Sequence, residues 1–126
     1  MQEVIALHDE LINDFGGSIG ILNEGALEST LSRPKQLAYY EPESSIFALA
    51  AAYGHGLVKN HCFLDGNKRT AFTIMGLFLV RNGYELVADV VEAVDVMVDL
   101  AKGEISQAEL ATWLASNVQI LSDDVG

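Results

Sequence analysis

The chain has 126 residues, half of them apolar, and its 7 basic and 18 acidic side chains give a net charge of −11. This composition predicts one folded domain over residues 1–126, excludes a disordered chain, and disfavours direct nucleic-acid binding, since a nucleic-acid backbone carries the same sign of charge. With one cysteine, Cys62, no run of 18 apolar residues and no signal-peptide pattern, the chain is expected to be cytoplasmic, without a membrane span or an internal disulfide.

The first predicted element is an amphipathic helix over residues 2–15, ended by Gly16 and Gly17. Its apolar face is formed by Val4, Leu7, Leu11, Ile12 and Phe15. The helix contains an adjacent histidine and acid, His8 and Asp9, a pair typical of metal phosphohydrolases. Adjacent helical residues point about 100° apart, and the further histidines of such a site are missing. A metal hydrolase is therefore disfavoured.

A second helix is predicted to begin after Asn23, which is a good N-cap residue. It is predicted to end at Arg33 and Pro34, because the residue before a proline resists the α conformation. Residues 35–43 are then expected to be irregular. Pro42 with Ser44 or Ser45 opens a third helix, which runs through Val58 and leads directly to His61.

The central predicted helix runs from Thr70 to Asn82 and is apolar on nearly every face. Such a pattern indicates a helix surrounded by protein. Thirteen residues, the length of this range, are too few to cross a bilayer. We therefore expect this helix to form the middle of the core.

The stretch before it carries reactive groups. Asp65, Gly66 and Asn67 favour a turn in which successive backbone N–H groups converge on one point, and such a point suits an anion. Lys68 and Arg69 add positive charge at the same helix N-terminus, where cations would otherwise weaken the helix. The pattern favours a multiply charged ligand such as a polyphosphate.

His61 and Asp65 bound this stretch. A histidine can accept a proton from a hydroxyl at neutral pH, and Asp65, the one acid between Ile46 and Val80, suits Mg2+ that bridges phosphate oxygens. Each residue also has an ordinary interpretation. His61 suits a helix C-cap, Asp65 and Asn67 suit a turn and an N-cap, and the cations suit a solvated edge.

Beyond Asn82 and Gly83, the pattern predicts a short extended link and two more helices. The first has an acidic face from Asp89 to Asp99 and ends at Gly103. The second begins with a capping box from Ser106 to Glu109. The tail, residues 122–126, is expected to fray. The chain is thus predicted to be all-α, with about six helices and little strand.

Residues 61–71, HCFLDGNKRTA, resemble the motif of the Fic superfamily, H-P-F-x-D/E-G-N-G/K-R. The ending from Lys68 to Ala71 is similar to that of its death-on-curing branch, the Doc toxins. The resemblance extends in order and spacing to further segments of the chain, which are Leu7-His8-Asp9, Phe15-Gly16-Gly17, Leu27-Glu28-Ser29 with Arg33-Pro34, and Leu57-Val58-Lys59-Asn60.

The resemblance implies a Fic/Doc-like bundle of about six helices around a buried central helix. It implies a toxin that uses ATP with Mg2+ to phosphorylate a Ser or Thr hydroxyl of a target protein, with a translation elongation factor as the implied target. It also implies a separate Phd-like antitoxin partner that is disordered when free. Residues 35–40 would form a flap near the active site. The implied roles are His61 as general base, Asp65 as metal ligand, and Gly66, Asn67, Lys68 and Arg69 as phosphate-binding residues.

Two departures from the Fic motif affect the predicted reaction. Cys62 replaces the usual proline, and Phe72 stands where AMP-transferring relatives carry a second arginine. The lost arginine favours transfer of the γ-phosphate, with AMP transfer as the alternative. A helical module that binds a nucleotide or a partner helix without catalysis is the second alternative.

Overall fold

The computed structural model describes residues 1–121, and the tail that was expected to fray lies outside them. Six helices and two short strands follow one another along the described chain. They are α1 (Gln2–Phe15), α2 (Glu24–Tyr40), α3 (Ile46–Lys59), α4 (Asn67–Arg81), β1 (Tyr84–Leu86), α5 (Val90–Lys102), α6 (Gln107–Ser116) and β2 (Val118–Ile120). The predicted all-α class with six helices is confirmed.

The predicted helix starts are stabilised by side-chain caps. Asn23 accepts the Ala26 N–H at 2.9 Å, and Ser45 does the same for Ala48 at 3.0 Å. At the start of α6 the capping box is complete, because Ser106 and Glu109 bond to each other's backbone N–H. These local contacts satisfy donors that a helix N-terminus otherwise leaves unpaired, which is why the sequence alone located these starts.

Helices α3 and α4 form the middle of the bundle, and α2 and α6 pack on α3. The α3–α4 approach is close: a Cβ at Gly54 would lie 2.2 Å from the Met75 sulfur. The core around this contact is made of apolar side chains from most elements, chiefly Leu27, Ala50, Ala51, Leu57, Phe63, Ala71, Met75, Leu79, Leu110 and Leu114. Small residues on α3 therefore place the two helices that flank the loop directly against each other.

Helix α2 continues through Pro34 to Tyr40, so the predicted end at Arg33 and Pro34 is wrong. An interior proline costs about 3 kcal/mol because it removes a hydrogen bond and crowds the preceding turn. The buried residues of α2 are Leu27, Thr30 and Pro34, a spacing of three and four that forms one helical stripe. Pro34 extends the stripe, and its burial offsets the helix-breaking effect.

Helix α4 begins at Asn67, three residues before the predicted start at Thr70. One side of it is buried through Ala71, Met75 and Leu79, while the opposite side lines an open groove. The chain then forms β1, which pairs antiparallel with β2 in the register Tyr84 to Ile120.

Within residues 1–121 no helix combines the length and the apolar character that a membrane span needs.

Candidate active site at the start of α4

The loop before α4 is closed by the side chain of Asn67. Its Oδ1 accepts the Phe63 N–H at 3.0 Å, and its Nδ2 donates to the Phe63 carbonyl at 2.9 Å. The asparagine is 7% exposed, so both bonds are shielded from water. Gly66, with φ 74°, supplies the left-handed turn between Phe63 and Asn67. The predicted phosphate-binding residue Asn67 therefore holds the loop with its side chain, and its backbone N–H bonds to no acceptor within residues 1–121.

His8, on α1, supports the same loop by a hydrogen bond and a ring contact. Its Nε2 lies 2.7 Å from the Asp65 carbonyl, and because a carbonyl only accepts, the ring donates from Nε2. The ring also stacks on Phe63, with centroids 3.8 Å apart. His8 is 1% exposed. The sequence indicated His8 through its pair with Asp9 and through the resemblance of Leu7-His8-Asp9 to Doc toxins, whereas this role depends on a contact across 57 residues.

The start of α4 presents unpaired donors. Within residues 1–121, the backbone N–H groups of Asn67, Lys68 and Arg69 bond to no acceptor, and the first bond of the helix runs from Thr70 to Gly66. The helix dipole and the exposed side chains of Lys68 and Arg69 add positive charge at this point. We name the three N–H groups and the two cations the phosphate cradle. Its geometry suits an oxyanion.

Arg69 is held at the edge of the cradle by Phe15. The guanidinium carbon lies 4.7 Å from the Phe15 ring centroid, a cation–π distance. Phe15, which the sequence placed on the apolar face of the first helix, is 66% exposed. It is the last residue of α1, and its exposed ring lies against the Arg69 guanidinium.

The Asp65 carboxylate is oriented by two backbone donors. Oδ1 accepts the Gly66 N–H at 2.8 Å, and Oδ2 lies 3.4 Å from the Ser18 nitrogen. A Cβ at Gly17 would lie 2.7 Å from Oδ2, so only glycine allows the chain after α1 to approach so closely. In the described part of the chain no three His, Cys, Asp or Glu side chains gather as a metal site. One carboxylate beside a phosphate cradle fits Mg2+, which binds through few protein ligands.

His61 lies at the other end of the loop, on the turn that follows α3. It is exposed and has φ 46°, a left-handed conformation that is uncommon for residues other than glycine. Its N–H bonds to the Val58 carbonyl at 3.3 Å, but the C-cap of α3 is Asn60, so the ordinary interpretation of His61 as the C-cap is wrong. Because the His61 ring is exposed and its backbone is held by a hydrogen bond, the ring is accessible to a hydroxyl of another protein. His61 itself lies outside the groove lined by Asp65 to Arg69.

The segment that pairs with the loop is residues 20–22. Leu22 donates its N–H to the Cys62 carbonyl at 2.8 Å, and Leu64 donates to the Gly20 carbonyl at 3.0 Å. These bonds flank an antiparallel bridge between Ile21 and Phe63. Because both bonds point toward the loop, the N–H and carbonyl of Ile21 point to the other side of the segment. Residues 18–22 are thus the segment beside the candidate site.

The predicted flap at residues 35–40 is wrong, since these residues belong to α2. Three of them line a separate recess on the α2–α3 face, together with Arg33, His55 and Gln107. Partial burial lowers the pKa of His55, and the nearby charges of Lys59 and Arg33 lower it further. These effects favour the uncharged form of the His55 imidazole, which is half-buried in the recess.

The cradle opens into a groove of about 1050 Å³. From Lys68 and Arg69 the groove follows α4 past Phe72 and Gly76 and is closed on the far side by α5. Its further walls are mainly apolar and include Leu77, Val80, Leu86, Val90, Ala93, Val94, Met97 and Val98. The groove is therefore cationic at the end formed by Lys68 and Arg69 and mainly apolar along the rest of its length.

Comparison with known proteins agrees with this geometry. The model of the Fic/DOC family matches residues 1–79, which is more than half of the chain. The protein therefore belongs to the Fic/DOC family. It is similar to protein kinase doc of Escherichia phage P1, with 39% identity over 113 residues that cover 90% of this chain and 89% of that protein. It is also similar to toxin Doc of Mycolicibacterium smegmatis, with 35% identity over 104 residues and 80% of each chain covered.

Proposed function

We propose that this protein is the toxin of a toxin–antitoxin pair and transfers the γ-phosphoryl group of ATP to a Ser or Thr hydroxyl of a target protein. The phosphate cradle carries the proposal, because it places three free N–H groups and two cations beside a loop that also bears an exposed histidine. The similarity to a protein named a protein kinase supports phosphoryl transfer. The resemblance to Doc toxins points to a translation factor as the target.

In this proposal the cradle holds the ATP phosphates and Asp65 holds Mg2+. The ion, when bound, supplies charge neutralisation between the phosphate groups. The hydroxyl oxygen forms a bond to the γ-phosphorus while the bond from that phosphorus to the β–γ bridging oxygen breaks, and ADP leaves. His61 takes the hydroxyl proton on a ring nitrogen. Lys68, Arg69 and the free N–H groups stabilise the negative charge, which is the main requirement of phosphoryl transfer.

One feature of α4 supports transfer of the γ-phosphoryl group rather than AMP, and one feature of residues 18–22 supports the docking of a protein target. Phe72 occupies the next turn of α4 beyond Arg69, where AMP-transferring relatives have a second arginine for the far phosphates. A target chain in extended form can add to the free side of Ile21, since strand addition uses unpaired N–H and carbonyl groups. We infer that residues 18–22 take the docking role that the sequence assigned to residues 35–40.

The decisive experiment is to incubate the protein, free of antitoxin, with a bacterial translation extract and either γ- or α-labelled ATP. Label from the γ-position on a Ser or Thr residue is expected. Label from the α-position would show AMP transfer and contradict the proposed reaction. The absence of label from both, with ATP binding intact, would favour a non-catalytic module. His61→Asn serves as the matched control in each arm.

We further propose that the groove along α4 takes a helix of the antitoxin. The groove is apolar along its length and cationic at the cradle, which fits an amphipathic helix with an acidic residue near Lys68 and Arg69. Gly76 lies on its wall, and no atom lies within 4 Å of the position a Cβ would take there. A glycine in mid-helix costs about 1 kcal/mol relative to alanine, so its open side suits the close approach of a partner.

Gly76→Leu is expected to weaken antitoxin binding at least tenfold, because the new side chain fills the groove, while the free toxin keeps its transfer activity. Calorimetric titration with the cognate antitoxin measures the affinity. Gly25→Leu is the matched control, since Gly25 is an exposed helical glycine of α2 with only an ordinary contact to Asn23. Equal affinity of Gly76→Leu and the wild type would place the antitoxin elsewhere.

A further inference from the structure

The two residues on either side of His61 are tied to one hydroxyl group from another helix. Thr30 of α2 accepts a hydrogen bond from Asn60 Nδ2 at 2.7 Å. The same Oγ1 lies 3.7 Å from the Cys62 sulfur. Thr30 is 1% exposed, so this oxygen has little access to water. One buried atom thus contacts the chain immediately before and immediately after the proposed base.

The chemistry of these groups determines the direction of the bond between Asn60 and Thr30, whereas in the contact between Thr30 and Cys62 either group can donate. An amide NH2 only donates, so the Thr30 oxygen accepts from Asn60 and keeps its own proton free. Burial raises the pKa of the Cys62 thiol, which therefore stays uncharged and can accept weakly from the hydroxyl or donate weakly to it. A threonine hydroxyl offers one donor and two acceptor sites, so it can serve both neighbours at once. A hydrocarbon side chain at position 30 could form a hydrogen bond with neither Asn60 nor Cys62.

The conformation of His61 requires such support. Its φ of 46° is in the left-handed region, which is sterically strained for a residue with a Cβ. Such a conformation persists when the surrounding structure determines it. We propose that Thr30 is a positioning residue for His61, holding the flanking residues so that the imidazole stays in its left-handed, outward position. This inference rests on the proposed function in one respect, that His61 acts as the base.

Gly56 allows Thr30 to reach this position. A Cβ at Gly56 would lie 2.8 Å from the Thr30 methyl carbon. Helices α2 and α3 therefore meet at this point only because residue 56 lacks a side chain. Gly56→Ala is expected to push Thr30 outward and to reproduce the effect of losing its hydroxyl, which gives an independent way to disturb the same contact.

The test replaces Thr30 by valine, which keeps the shape and removes the hydroxyl. Asn60 is exposed and can bond to water instead, so the fold is expected to survive. We expect kcat for phosphoryl transfer to fall about 10- to 100-fold, with the KM for ATP unchanged, because the base is misplaced while the cradle is intact. Thr30→Ser is expected to restore most of the rate. Gly56→Ala is expected to lower kcat in the same way.

Thr70→Val is the matched control. Thr70 is a fully buried threonine of α4, and its hydroxyl has no hydrogen-bond partner within residues 1–121. Removing that hydroxyl is expected to leave kcat unchanged. A Thr30→Val enzyme with wild-type kcat, or a Thr30→Ser enzyme as slow as Thr30→Val, would overturn the proposal. An equal loss in Thr30→Val and Thr70→Val would also overturn it, since it would show a general effect of repacking.

A second readout does not depend on turnover. The backbone carbon chemical shifts of His61 report its left-handed conformation by NMR. We expect that conformation in the wild type and in Thr30→Ser, and its loss in Thr30→Val. If the wild type transfers no label but this pattern holds, the positioning role stands and the proposed reaction fails. If His61 keeps its shifts in Thr30→Val, the positioning role fails whatever the reaction is.

Discussion

His61→Asn is expected to lower the rate of phosphoryl transfer by about 100- to 10,000-fold, the usual contribution of general-base catalysis. Asparagine is preferred to alanine because it tolerates the left-handed backbone that His61 adopts, with φ 46°, so the loop is kept while the base is removed. ATP affinity is expected to stay within about twofold of the wild-type value, because the free N–H groups that receive the phosphates begin at Asn67. Label transfer and calorimetric ATP titration measure the two quantities.

His55→Asn is the control for this experiment. His55 lies on α3 six residues earlier along the chain, in a recess separate from the groove, and is expected to be dispensable for transfer. In cells, His61→Asn is expected to abolish growth arrest, whereas His55→Asn keeps it. Growth arrest by both variants at the wild-type level would show that toxicity does not require the His61 imidazole.

Asn67→Ala is expected to be the most destabilising change in the site. It leaves the buried N–H and carbonyl of Phe63 without the partners seen at 3.0 and 2.9 Å, at about 1–3 kcal/mol for each group. The loop between His61 and α4 would then lose its closure. We expect a lower free energy of unfolding in urea, measured without nucleotide, together with loss of transfer activity.

Asn82→Ala provides the comparison. Asn82 makes one exposed side-chain bond, from its Nδ2 to the Phe78 carbonyl at 2.8 Å, and its removal is expected to cost about 0.5 kcal/mol or less. If Asn67→Ala were as stable as Asn82→Ala and lost only ATP affinity, the Asn67 side chain would be a phosphate ligand. The closure role described above would then be wrong.

The candidate site was predictable to the extent that it is local. Asp65, Gly66, Asn67, Lys68 and Arg69 are contiguous, and a turn followed by a helix brings their backbone donors together without any distant contact. The prediction that these residues bind phosphate and that Asp65 binds a metal stays a prediction. What the local pattern did not contain is the support of the loop by His8 and the placement of Arg69 by Phe15.

The wrong predictions about the fold also arise from contacts between segments that are far apart in the sequence. Pro34 is a strong local signal for a helix end, yet α2 continues because its buried stripe against α3 outweighs the cost of the proline. Once residues 35–40 belong to that helix, they cannot form a flap. We propose residues 18–22 for that role. The pairing of this segment with the loop spans about 40 residues of sequence, so no periodic pattern in the sequence indicates it.

The amino-acid sequence by itself determined the helical class, the capped helix starts, the family motif and the contiguous phosphate cradle. These features arise from interactions within one or two turns, which spacing and residue type encode directly. Only the tertiary structure decided which side of α4 stays open, which segment pairs with the loop, and which contacts His8 and Thr30 make to the loop and to the neighbours of His61. These features depend on packing between segments far apart in the chain, where burial and shape, rather than local propensity, determine the free energy of folding.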